Sequence, residues 1–183
     1  MTKQVEGVYE RVLACAKEEF LEKGFSKSSL RTIAAKADTT TGTIYSRFGG
    51  KEGLFSAIVE PVSDRIIKMF LETQESFHAL DAKEQPSMME TYVSEGMKTI
   101  LDYVYDNFEE FELLLDASYG TKFQNFVESL VEIETEYTYK YMEAINFQGE
   151  EGEEKALKYM MMLEKFHYGG WDTIMKFSNS VEK

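Results

Sequence analysis

Apolar residues at the N-terminal end of the chain recur at intervals of three and four, in runs separated by turn-like residues. Val5, Val8, Tyr9, Val12, Leu13, Ala16 and Phe20 make one helical face that stops at Gly24, which predicts a helix over 4–23 with the glycine just past its end. Leu30, Ile33, Ala34 and Ala37 form the next face, with Ser28 or Ser29 placed to cap it and Arg31 lying off the buried side. Asp38 and Thr39 mark a turn, after which Thr40 can cap a third segment carrying Ile44, Tyr45 and Phe48. Two short helices joined by a tight turn have the dimensions of a helix-turn-helix, in which the second helix enters the DNA major groove.

From Lys51 the pattern continues as a fourth helix with Leu54, Phe55, Ile58, Val59, Ile66, Met69 and Phe70 on its buried side. Pro61 falls inside it. An interior proline removes one backbone hydrogen bond at a cost of ~3 kcal/mol, so a kink or break is expected near Val59 and Glu60. Gly53 and Pro61 together would make the helix jointed. Residues 78–87 are polar, contain Pro86 and read as a loop. Beyond them, helices are expected over 88–105, 108–118, 121–145 and 153–178, separated by turn-like residues at Asp106-Asn107, at Tyr119-Gly120 and over 146–152. No alternation of strand length competes, so the fold class is all-α.

Charge sharpens this picture. The formal charge is −13 over the 183 residues, which taken alone argues against nucleic acid. Between residues 24 and 51, however, Lys27, Arg31, Lys36, Arg47 and Lys51 face only Asp38, whereas 53–183 hold 11 Lys and Arg against 26 Asp and Glu. Exposed charges are screened beyond ~8–10 Å at physiological salt, so a basic head can meet phosphate while a distant acidic region scarcely interferes. Cys15, alone in the chain, excludes an intrachain disulfide and serves in packing, as expected of a reducing compartment. The first residues lack the apolar core of a signal peptide and no run reaches the ~18–20 apolar residues of a membrane span, so a cytoplasmic protein with no membrane partner is expected.

The residues of the head resemble the tetracycline-repressor (TetR) family of transcriptional regulators. The matching pattern starts with Val12-Leu13, Cys15-Ala16, Phe20 and Lys23-Gly24-Phe25. It runs on through Ser28-Ser29-Leu30-Arg31-Thr32-Ile33-Ala34 and ends with Gly42-Thr43-Ile44-Tyr45, Phe48 and Lys51-Glu52. The resemblance covers roughly residues 8–55 without a gap. It implies an N-terminal three-helix DNA-binding domain over 1–50 and a larger helical effector-binding and dimerisation domain over 51–183. It also implies phosphate contacts at the start of the second helix, at the tyrosine of the third and at the lysine opening the fourth, which fall here on Ser28, Ser29, Tyr45 and Lys51. Arg31 and Gly42 complete the expected DNA-facing set, together with Thr40, Thr41, Thr43, Ser46 and Arg47 on the outward side of the recognition helix. Arg47 could pair with guanine or contact a phosphate. Two positions depart from the family pattern: Thr39, where an apolar turn residue is usual, and Thr41, where a lysine is common.

The remaining chain is rich in aromatics and methionine, and family members commonly hold a small apolar or amphipathic effector there. Tyr103, Phe111, Tyr119, Phe123, Tyr137, Tyr141, Phe166 and Trp171 are the candidate lining, although residues at this spacing are more often ordinary core. Apolar positions from Leu157 to Met175 are too many for one stripe, and Gly169-Gly170 would suit close helix approach. A homodimer through residues 121–178 is therefore expected, as the resemblance also implies. An enzyme is the rival class, but the chain offers only His78 and His167, no nucleophile elbow, no glycine-rich phosphate loop and no zinc-spaced Cys/His cluster. No metal or cofactor is expected. The reading is a repressor that a ligand releases from a palindromic operator in double-stranded DNA, with a ligand-independent DNA-binding or protein-interaction module as the alternative.

Overall fold

A computed structural model describes residues 2–146, with side chains from residue 7. Among these residues the chain is seven helices and no strand: α1 (Thr2–Lys27), α2 (Leu30–Lys36), α3 (Thr41–Phe48), α4 (Lys51–His78), α5 (Gln85–Asp106), α6 (Phe108–Asp116) and α7 (Phe126–Ala144). The expected helix over 153–178 lies outside the described residues, as do Phe166 and Trp171. The described chain divides into two compact units. One comprises the residues up to Met69 together with Met97–Val127, and the other Phe70–Gly96 together with the stretch from Glu128.

In the first unit the helical faces read from the sequence converge. Val12, Ala16 and Phe20 of α1, Ile33 and Ala34 of α2, Ile44 of α3, and Leu54, Phe55 and Val59 of α4 are all buried. Phe20 meets Phe55 edge-on at 5.1 Å, Phe25 meets the same ring at 5.4 Å, and Tyr9 stacks on Phe48 at 5.2 Å. The regular part of α1 ends where expected. Gly24 takes φ 70° and ψ 165°, a conformation that a Cβ would strain, and one further turn leads to Lys27. α1 also packs on α6, with Lys17 paired to Glu109 at 2.6 Å and to Glu110 at 2.9 Å. The Phe25 amide donates to the Ala117 carbonyl at 3.0 Å, and the Ser26 hydroxyl donates to the Tyr119 carbonyl at 3.1 Å.

Three expectations about element bounds need correction. α4 shows no break at Val59-Glu60 and runs through Pro61 to His78. The proline is exposed while Val59 and Val62 on either side of it are buried, so packing holds both halves in one helix. The loop expected over 78–87 is shorter, because Pro86 falls in the first turn of α5, where its missing N–H has no intrahelical partner to lose. The helix expected from Thr121 starts at Phe126. Thr121 Oγ1 donates to the Ser118 carbonyl at 2.7 Å and accepts from the Phe123 amide at 3.1 Å, which holds a turn where a helix would otherwise begin.

In the second unit, Phe77 and His78 at the end of α4 meet α5 and α7. Phe77 contacts Tyr92 at 5.5 Å and Tyr141 at 5.7 Å, and His78 lies 5.2 Å from Tyr137. Gln74 donates to Glu134 at 3.0 Å.

Candidate nucleic-acid interface

α2 and α3 form the helix-turn-helix, and Asp38 between them adopts φ 49°, a left-handed conformation that Asp tolerates in tight turns. Thr40 caps α3 as its sequence suggests, since its Oγ1 accepts from the Thr43 amide at 3.2 Å and sits 3.1 Å from the Thr43 hydroxyl. Gly49, at φ 76°, closes the helix by donating its amide to the Tyr45 carbonyl. Between these caps Ile44 is wholly buried, and Gly42, Tyr45, Ser46 and Arg47 are exposed, Tyr45 at 59%. Thr41 and Thr43 are half-buried. An eight-residue helix thus turns one apolar residue inward and presents hydroxyls, a phenol and a guanidinium outward.

At α2 the expected residues separate. Arg31 is exposed and Ser29 is half-buried at the N-cap position, with an extended backbone but no hydrogen bond from its hydroxyl to the helix. The Ser29 amide instead donates to Glu19 Oε1 at 3.3 Å. Ser28 is buried, and its hydroxyl donates to the Phe25 carbonyl at 2.7 Å, so that side chain completes the turn out of α1 instead of facing solvent. Lys51 is turned toward the end of α1. Its ammonium donates to the carbonyls of Phe25 at 2.6 Å, Ser26 at 3.2 Å and Ser28 at 3.2 Å, and lies 4.6 Å over the Phe25 ring. Burial holds its pKa below the usual lysine value.

Glu19 was not singled out by the sequence. It is fully buried, accepts from Lys23 Nζ at 2.8 Å and lies 3.9 Å from Lys36 Nζ. The Lys23 hydrogen bond, aided by the Ser29 amide, outweighs desolvation and keeps its pKa below the ordinary glutamate value. The available signal was its spacing, four residues before Lys23 and between the buried positions Ala16 and Phe20.

The profile described as bacterial regulatory proteins of the tetR family matches residues 12–58, the stretch that holds this arrangement. Residues 12–58 thus match the N-terminal domain of the TetR family. Two curated relatives share the domain: an uncharacterized HTH-type transcriptional regulator, YvdT, of Bacillus subtilis, 45% identical over 60 residues, and the HTH-type transcriptional regulator UidR of Escherichia coli, 30% identical over 91 residues. The matches cover 33% and 50% of this chain and 31% and 46% of the relatives, less than half the length of either. Among solved structures, NalD, the secondary repressor of the MexAB-OprM multidrug efflux pump in Pseudomonas aeruginosa, is 18% identical over 92% of this chain and 83% of its own, with a TM-score of 0.48. Both curated relatives are described as HTH-type transcriptional regulators.

The candidate effector-lining residues fall into two groups. Tyr103, Phe111 and Phe123 belong to the first unit, where Tyr103 meets Phe111 edge-on at 6.1 Å and Phe123 lies 6.3 Å from Phe55. Tyr137 and Tyr141 belong to the second, against His78 and Phe77. Tyr119 is 79% exposed on the turn at Gly120, with its carbonyl engaged by Ser26. Among the described residues no helix is long and apolar enough to cross a membrane.

Proposed function

We propose that the chain, as a TetR-family DNA-binding regulator, acts as a repressor on a palindromic operator and is released by a small apolar or amphipathic effector. The observation that carries this reading is the outward face of α3, where exposed Tyr45, Ser46 and Arg47 lie beside Gly42 on a helix capped at both ends within a TetR-type domain. Short hydroxyls and one guanidinium suit base edges and phosphates, and exposed Lys27 and Arg31 add positive charge at the same end of the chain. A homodimer through residues 121–178, part of which lies outside the described residues, would supply two heads for two half-sites about one helical turn or a multiple apart. The aromatic groups around Phe111 and Phe77 offer apolar surfaces for an effector, and the proposed compartment is the cytoplasm.

Selection of duplexes from a random pool by the purified chain tests the operator. The expected product is a single enriched motif with two-fold symmetry; a motif without symmetry would contradict the dimeric reading, and no enrichment would contradict sequence-specific binding. A thermal-shift screen of apolar compounds tests release, since a ligand at 100 times its dissociation constant stabilises the protein by ~2.7 kcal/mol. A stabilising compound should also lower operator affinity.

A further inference from the structure

We propose that Gly50 is a positioning residue for DNA binding: bare of a side chain, it seats the ring of Tyr45 so that the phenol is placed in advance for the phosphate backbone. This rests on the DNA-binding reading above, in which the outward face of α3 meets the duplex. Tyr45 is 59% exposed, yet one flank of its ring lies against Gly50. A Cβ on Gly50 would stand 3.2 Å from Cε1 of that ring and 3.6 Å from Cδ1, the first of these closer than carbon atoms pack at their optimum. Gly50 is accordingly buried at the junction between α3 and α4, while its neighbour Gly49 is exposed.

The seat is anchored on both helices. The Gly49 amide donates to the Tyr45 carbonyl at 2.9 Å, and the Leu54 amide, in the first turn of α4, donates to the Gly50 carbonyl at 3.1 Å. Gly50 takes φ 124°, so the turn between the helices and the contact with the ring each call for glycine, for separate reasons. A phenol reaches a phosphate through one O–H, and that bond weakens steeply when it is misaligned. A side chain on residue 50 would push the ring edge aside, and the displacement would grow toward the hydroxyl, which lies farther from the pivot at Cβ than Cε1 does. A ring already seated in the free chain also has less rotamer freedom to lose on binding. Gly50 therefore acts on DNA affinity through Tyr45.

Nuclear Overhauser contacts between the Tyr45 ring protons and the Gly50 α protons test the seat on the unmodified chain. They are expected both free and on a selected duplex; their absence from the free chain, or their loss on DNA, would overturn the proposal whether or not any variant folds. Affinity for the same duplex tests the role. Tyr45→Phe keeps the ring, removes the hydroxyl and is expected to bind about tenfold more weakly. Gly50→Ala is expected to lose about fivefold in the unmodified background, and less than about twofold in the Tyr45→Phe background, because the contact it disturbs is already gone. Losses that multiply in the double variant would overturn the proposal, as would a Gly50→Ala chain that binds as tightly as the unmodified one. Gly49→Ala separates backbone strain from the ring: Gly49 sits at φ 76° but a Cβ there meets nothing within 4 Å, so its effect on affinity should be the same with and without the Tyr45 hydroxyl. Coupling to Tyr45 as strong as that of Gly50→Ala would assign the effect to strain and overturn the proposal. If the unmodified chain binds no duplex, the regulatory reading fails and the proposal with it. If it binds and Tyr45→Phe binds as tightly, the reading stands and the proposal alone fails.

Discussion

Gly53 lies in the first turn of α4 against the last residue of α3, and a Cβ there would overlap the carbonyl oxygen of Phe48. Backbone cannot rotate aside as a side chain can, so Gly53→Ala must displace one helix from the other and should cost about 1–3 kcal/mol or more. Gly7→Ala sets the contrast. Its Cβ would meet only the flexible end of Arg11 at 3.6 Å within a helix, so it should stabilise by up to ~1 kcal/mol. Urea denaturation of the two variants checks the opposite signs. Gly53 thus serves close approach, a reason the sequence did not disclose when it suggested a joint.

Glu19 makes a pH prediction at the same scale. Its folded pKa is depressed, chiefly by the Lys23 hydrogen bond, so the stability it contributes is present above the ordinary glutamate range near ~4.3 and is lost as pH falls through the lower folded value. Glu19→Gln should therefore be less stable than the unmodified chain at neutral pH by about 1–3 kcal/mol, the scale of a hydrogen bond to a charged group, and the gap should close below about pH 4. Stability of both proteins from urea titrations across acid pH reads this directly; a constant gap would place the effect elsewhere.

Among the elements, α3 is the one whose local chemistry is most complete. Thr40→Ala removes the hydroxyl that caps an eight-residue helix and should cost about 1 kcal/mol, with the loss showing as faster amide exchange at Thr43. Such short-range features were legible in the sequence. Period-3.6 faces located the buried sides of α1 to α4, Gly24 marked the α1 break, and Thr40 marked the α3 cap. Features that depend on distant partners were not. Lys17 meets Glu110 across 93 positions, and the docking of α6 on α1 left no periodic trace. Ser28 and Lys51 carry residue types that suit phosphate equally well, and only the fold shows that both turn toward the carbonyls at the end of α1. Thr121 and Pro86 shifted helix starts because one side chain held a turn and the other fitted a first turn.

Across the whole molecule, charge is segregated along the chain, with a net positive stretch over 24–51 in a protein of net charge −13. Salt should therefore act strongly on binding even though the overall charge is negative, because short-range contacts at the head dominate over screened charges elsewhere. Arg47→Ala separates base reading from backbone contact: a loss of about 1–3 kcal/mol on the selected duplex and less on a scrambled one marks a base contact, whereas equal losses mark a phosphate. The most direct measurement of the central claim is the affinity of the unmodified chain for its selected duplex and for a scrambled duplex, by fluorescence anisotropy between 50 and 200 mM salt. The account predicts that the selected duplex binds at least about 10³-fold tighter at the higher salt, and that affinity for both falls as salt rises. Equal affinities at every salt concentration, or no binding to either, would contradict it.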